Sequence, residues 1–272
     1  MSEMSAAEAT IYNAGERLIP GRSHDYLEVR RHYGSYLFIH AVIAADLAAQ
    51  GLRAAPISIV DLGCGVGHGC HTLAALPGVR VHGVDMSAES LEYARRNYSR
   101  GNITLEQSDL NSFVERMAEY DYVISRGVLE HVPDGINLAK RSRWRTRLLF
   151  DVPYAEPAGV NPYHLISTIT EESFAHFLDA ELLYEDMEGG IYYTHQKPAK
   201  ANMILCACRR PDLRRIDTLG ISLPFRVDWS TCGPEAQEPP TPPPTPPPPP
   251  PPGLLRRAVR KLMRPVVSLL QG

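Results

Sequence analysis

Residues Val60 to Gly69 read VDLGCGVGHG, with glycine at four alternate positions directly after an apolar run. Backbone left bare at that density serves a tight strand-to-helix turn that another group approaches closely. The turn follows ISIVDL (57–62), the first of five buried strand patterns. The others are VRVHGVD (79–85), NITLEQSD (102–109), YDYVISR (120–126) and RLLFDVP (147–153). Helical patterns over His71–Leu76, Ala88–Tyr98 and Phe113–Glu119 lie between them, with Ser87 placed to cap the second. Alternation at this spacing predicts βαβ units and an α/β, Rossmann-like, doubly wound sheet that is mostly parallel. Past Thr170 the pattern changes to a helix (Glu171–Leu178) and the short strands LLYEDM, IYYTH and NMILCACRR, an antiparallel closing hairpin. Sheets of this kind bind ligands at the carboxyl ends of their strands, where the glycine turn falls.

Composition divides the chain. Its 272 residues hold one α/β domain of about 200 residues plus extras. The division expected is a helical cap over 1–50, the α/β domain over 51–232, a linker over 233–252 and a terminal segment over 253–272. The linker, GPEAQEPPTPPPTPPPPPPP, contains thirteen of the 24 prolines and should extend as a disordered, semi-rigid spacer. In GLLRRAVRKLMRPVVSLLQG, apolar residues recur at helical spacing and Arg256, Arg257, Arg260, Lys261 and Arg264 fill the other face. Such a basic amphipathic helix suits an anionic membrane surface, or docking on an acidic domain or partner. Taking its +5 from the overall −3 leaves −8 for residues 1–252, a poor match for nucleic acid. Five cysteines without zinc spacing are expected to be reduced thiols, with Cys206 and Cys208 as packing residues. The N-terminus lacks signal-peptide character, and no apolar run reaches the roughly 20 residues of a membrane span. The expected location is the cytoplasm, peripheral at the inner face of the membrane if the tail binds there.

The turn has neither the GxxxxGK[ST] of a phosphate loop nor the GxGxxG of dinucleotide folds. Its GxGxG spacing, with Asp61 two residues ahead of Gly63, suits a cationic ligand better than a pyrophosphate. Gly63, Gly65 and Gly67 let an adenosyl group lie on bare backbone. Asp85 ends the second strand, where a carboxylate can take both ribose hydroxyls. Asp109 ends the third, placed to accept from an adenine amino group. Taken alone each carboxylate is equally a helix N-cap; together with the glycines they describe an adenosine pocket.

VDLGCGVGHG, HGVDMS, QSDL and YDYVISRGVLEHV, over about residues 57–132, resemble the ordered motifs of class I S-adenosylmethionine-dependent methyltransferases. The resemblance implies a seven-stranded sheet with its last strand inserted antiparallel, and S-adenosyl-L-methionine as cofactor. It places Asp61 and Gly63 by the methionine end, Asp85 on the ribose, and Asp109 with Leu110 around adenine. Cys64, Gly67, Met86 and Arg126 belong to the same motifs and complete the expected contact set. NAGERLIPG (13–21) and VPYAEPAGVNPYHL (152–165) are similar to bacterial methyltransferases of surface-polysaccharide and other glycan synthesis. Their N-terminal HxxRY pattern is met by His32 and Tyr36, a further cofactor contact, but Ser35 stands where arginine is expected.

A sugar hydroxyl is a weak nucleophile and benefits from a general base near neutrality. His131, just after the fourth strand, is the first candidate and His164 in NPYH the second. A structural histidine bonded to backbone is the competing reading for His131. Glu130, Asp151 and Glu156 could join these histidines around a divalent metal, although no spacing demands one and none is expected. Three function classes follow: a glycan O-methyltransferase, a methyltransferase of a small natural product or lipid-linked metabolite, and a catalytically silent cofactor-binding module. The intact glycines and three aspartates argue against the third.

Overall fold

A computed structural model describes residues 5–13, 18–20, 22, 26–50 and 56–231. These belong to one compact unit, residues 1–237. The proline-rich stretch, the segment 253–272 expected to form an amphipathic helix, and the Glu16–Arg17 pair of the GERLIP stretch lie outside the described residues.

The chain enters through α1 (Ala6–Asn13) and a 25-residue helix, α2 (Tyr26–Gln50). Strands and helices then alternate: β1 (Ile57–Leu62), α3 (His68–Leu73), β2 (Val79–Asp85), α4 (Ala88–Asn97), β3 (Ile103–Gln107), α5 (Leu110–Arg116), β4 (Tyr120–Arg126), α6 (Gly135–Arg141) and β5 (Trp144–Pro153). The chain closes with β6 (Glu181–Asp186), β7 (Ile191–Tyr193) and β8 (Ala201–Arg209). Strand order is β3-β2-β1-β4-β5-β8-β6-β7. The first five strands are parallel, and β8 inserts antiparallel between β5 and β6.

The sheet therefore has eight strands and not the seven expected. The extra strand is the three-residue β7, which turns back on β6 through Gly189 and Gly190. Its outer edge is met at Ile191 by Phe225. The helix expected over Glu171–Leu178 is only a single 3-10 turn, Glu171–Phe174.

Alternation along the strands sorts the core onto two faces. Ile57, Ile59, Tyr122, Ile124 and Leu149 meet Phe38, Ile39, Val42 and Ile43 of α2 and Leu73 of α3. Val60, Leu62, Val123, Leu148 and Phe150 meet Phe113 and Val114 of α5 and Leu138 of α6. Caps end the loops cleanly: Ser87 accepts from the Ser90 amide and Asp109 from the Ser112 amide.

A buried ion pair fixes α2 to the sheet. Arg147 on β5 is fully buried, its Nε 2.7 Å and Nη2 2.9 Å from the two carboxylate oxygens of Asp46. Tyr122 donates to the same carboxylate. A bidentate pair of this kind orients as well as attracts.

Candidate functional site

A cavity of about 480 Å³ opens where β1, β2 and β4 end, the reversal point of strand order. The glycine turn, Asp85 with Met86, Asp109 to Asn111, Arg126 to Val128 and His131 to Pro133 line it. Leu18, His32 and Tyr36 close it from the N-terminal side, and Tyr163 stands at the rim.

The four glycines divide by what a side chain would meet. At Gly63 a Cβ would lie 2.4 Å from Val128, at Gly67 2.7 Å from Ala94 of α4, and at Gly69 2.0 Å from the Tyr36 ring. Those three are bare so that the protein can pack on itself. Gly65 differs: its φ is +52°, and a Cβ there meets no described atom within 4 Å. It lines the cavity, so the space over it is open to a ligand.

Asp85 holds that turn. Its Oδ2 accepts from the Gly65 amide at 2.9 Å and its Oδ1 from the Ser87 amide at 2.8 Å. It is nearly buried and faces the cavity. Asp109 is exposed; its bond from the Ser112 amide holds its carboxyl below the usual range. It is thus both a cavity residue and an N-cap, as the two readings of its position allowed.

Residues 59–144 match the family model described as "Methyltransferase domain". A phosphoethanolamine N-methyltransferase 2 of Caenorhabditis elegans is 32% identical over 87 residues, 31% of this chain and 20% of that protein. A ubiquinone biosynthesis O-methyltransferase of Actinobacillus pleuropneumoniae is 24% identical over 163 residues, 57% and 65% of the two chains. The chain carries an S-adenosylmethionine-dependent methyltransferase domain. It spans between a fifth and just under two thirds of the length of these curated relatives. Among solved structures, the plantazolicin methyltransferase BpumL in complex with SAH is 14% identical, with a TM-score of 0.49 over 75% of this chain and 89% of that one.

Two residues expected to contact the methyltransferase cofactor sit behind the cavity wall. Asp61 is fully buried and does not line the cavity. Its carboxylate accepts from the Tyr36 hydroxyl at 3.1 Å and from Cys70 Sγ at 3.4 Å. Burial pushes its pKa up to about 7, and the same burial keeps the Tyr36 phenol protonated as the donor. Gly67 packs on α4 instead of facing a ligand. Tyr36, Gly63, Cys64, Gly65, Asp85, Met86, Asp109, Leu110 and Arg126 all lie on the wall.

Arg126 answers the question Ser35 raised. Its guanidinium lies 3.1 Å from Glu185 Oε2 and 3.7 Å from Asp151 Oδ2, with Nη1 donating to His32 Nε2 at 3.3 Å. Ser35 Oγ lies 2.9 Å from Asp151 Oδ2 and 3.0 Å from Glu185 Oε1. One hydroxyl proton cannot serve two carboxylates. Burial pushes Glu185 up to about 8 and raises Asp151 as well, so the pair favours holding a proton over setting two bare charges on one hydroxyl. The buried cation reaches this network from β4, and the helix needs only a hydroxyl.

His131 lines the cavity, its Nδ1 3.1 Å from the Tyr163 carbonyl. A carbonyl only accepts, so Nδ1 carries the proton and Nε2 the lone pair in the neutral ring. His164 is not on the cavity wall. It stacks edge-on against His131 with ring centroids 4.8 Å apart, hydrogen-bonded through Nδ1 to Glu156. Its Nε2 accepts from Asn161 at 3.0 Å. Glu130, His131 and His164 bring one donor atom each within 4.8 Å of one another, a spacing that could hold a divalent cation. Asp151 belongs to the Arg126 network and Glu156 to His164, so neither joins that set.

Leu18, Val66, His68, Asn111, Gly127, Val128 and Tyr163 also line the cavity and were not singled out by sequence. His68 had a signal, since it interrupts the glycine stretch itself. Tyr163 had none, because its place depends on the fold of the 154–166 loop.

Proposed function

We propose that the protein transfers the methyl group of S-adenosylmethionine to a hydroxyl oxygen, with a sugar hydroxyl of a glycan as the first acceptor class. When bound, the cofactor supplies an electrophilic methyl on a sulfonium leaving group. Gly65 would leave room for its adenosyl body, Asp85 would take its ribose, and Asp109 with Leu110 would flank its base. The observation that carries the reading is His131 on the cavity wall with its tautomer fixed. Nε2 is then the basic atom, able to take the proton from a hydroxyl as its oxygen attacks. His164 is the weaker candidate, because it lies off the cavity wall. Alignment of acceptor and methyl contributes most of the acceleration, and the base about 10²–10⁴.

A second reading has its own support. Val160, Tyr163 and Leu165 are large exposed apolar residues on the loop beside His131, a surface that suits a small aromatic or lipid-linked hydroxyl compound. By their names the two curated relatives are a phosphoethanolamine N-methyltransferase and a ubiquinone biosynthesis O-methyltransferase, so they favour no single acceptor class. Incubation with methyl-labelled cofactor and fractionated glycans, lipids and small metabolites decides between them. Label in the polysaccharide fraction supports the first reading, label in the lipid or small-molecule fraction the second, and label in none refutes both. The segment 253–272 is proposed to tether the enzyme to anionic membrane. Among the described residues no helix is long and apolar enough to cross one. Sedimentation of the full chain with anionic liposomes, lost on removing 253–272, tests the tether; failure of the full chain to sediment refutes it.

A further inference from the structure

His68 follows the third glycine of the turn and opens α3. Its side chain is only 6% exposed, yet it lines the cavity, and both ring nitrogens are buried without a hydrogen-bond partner. Burial keeps the ring neutral, down to a pKa of about 3, so it presents one N–H and one lone pair. A buried donor left unmade is costly, and native structures rarely retain one without a use. Tyr33 and Tyr36 meet the ring edge-on at centroid distances of 5.4 and 5.3 Å, and His32 lies at 5.7 Å. These contacts hold the ring in place; any N–H to aromatic contact among them is second-order.

Position along the sheet says what the N–H meets. Asp109 to Asn111 follow β3 and Met86 follows β2, so adenosine is read over that side of the cavity. His68 follows β1, and Arg126 ends β4 on the other side. A cofactor with its adenosine over β2 and β3 therefore extends its amino-acid end toward His68. The Arg126 cation depresses the His68 imidazolium further, and a neutral N–H donor on this side of the cavity suits the ligand's carboxylate, not its ammonium.

We propose that His68 donates a hydrogen bond to the carboxylate of the cofactor's methionine moiety and makes that carboxylate a requirement for tight binding. The proposal rests on the S-adenosylmethionine reading and adds a residue that selects among adenosyl sulfonium ligands. Calorimetry with S-adenosylmethionine and with its decarboxylated form, which keeps the sulfonium and the amine, tests it. The wild type should prefer the carboxylated ligand. His68→Phe keeps the ring packing but removes the donor. It should lose about 10- to 150-fold for S-adenosylmethionine, the worth of one bond to a charged group, and bind the decarboxylated form as the wild type does. Unchanged binding of the decarboxylated form shows that the variant is folded. If His68→Phe does not fold, His68→Gln, which retains an N–H, should fold and keep most of the preference. Equal losses for both ligands, or no loss for either, overturn the proposal. Failure of the wild type to bind either ligand overturns the cofactor reading itself.

Discussion

Alanine at Gly65 and alanine at Gly67 should fail in opposite ways. Both positions have positive φ, +52° and +85°, which costs an L-residue about 1–2 kcal/mol. Part of that cost is offset, by about 0.4–1 kcal/mol, because the unfolded chain also loses freedom. At Gly65 nothing else opposes folding, since the new methyl enters open space. Its net destabilisation should be about 1 kcal/mol. At Gly67 the methyl lies 2.7 Å from the Ala94 methyl, an overlap worth a further 1–3 kcal/mol or so. A total of about 2–4 kcal/mol is expected there. Cofactor affinity should follow the reverse order: the Gly65 methyl occupies ligand volume and should weaken binding at least about tenfold, or roughly 1.4 kcal/mol. Urea unfolding gives the first quantity and calorimetry with S-adenosylmethionine the second. If Gly65→Ala binds the cofactor within a factor of two of wild type, the adenosyl body does not lie on this turn.

Three other outcomes are expected. Asp46→Ala strands the fully buried Arg147 and should cost about 3–5 kcal/mol by urea unfolding, with much recovered in Asp46→Leu/Arg147→Met; a single-variant loss under about 1 kcal/mol refutes the pair's role. Glu185, raised to about 8 in the fold, is already ionised in the unfolded chain above about 4.3, so folding takes up a proton and its contribution weakens as pH rises between those values. Glu185→Gln should therefore gain on wild type in urea midpoint from pH 5 to pH 8, and a constant difference would show that Glu185 is ionised in the fold. His131→Ala should lower turnover about 10²–10⁴-fold with cofactor affinity little changed; near-normal turnover would remove His131 as the base.

The strands read best where apolar runs were bounded by turns: β1, β2 and β4 have the limits that ISIVDL, VRVHGVD and YDYVISR suggested. Strand β5 starts three residues earlier than its apolar run, at Trp144, because Arg143 and Arg145 on either side of the tryptophan look like loop residues. Arg147 is buried only because Asp46, about a hundred residues away in sequence, neutralises it, and no local pattern carries that information. Helix α3 begins at His68 and not His71, since glycine and histidine score as turn while the packing of Tyr36 over Gly69 makes helix the better fit. The cavity residues proposed to face adenosine could be named from sequence because they sit at fixed distances from strand ends. The network that joins Arg126, Ser35, Asp151 and Glu185 could not: they come from four separate elements, and no local pattern brings them together.

Helix α2 is held at two points, Asp46 on Arg147 and Ser35 on the Asp151–Glu185 pair, about 16 Å apart along its axis. A rod pinned twice can neither swing nor roll without breaking one of its pins. His32 and Tyr36, which project from it into the cavity, are then fixed masonry and not a door. The wall they form shapes the cavity and does not gate it.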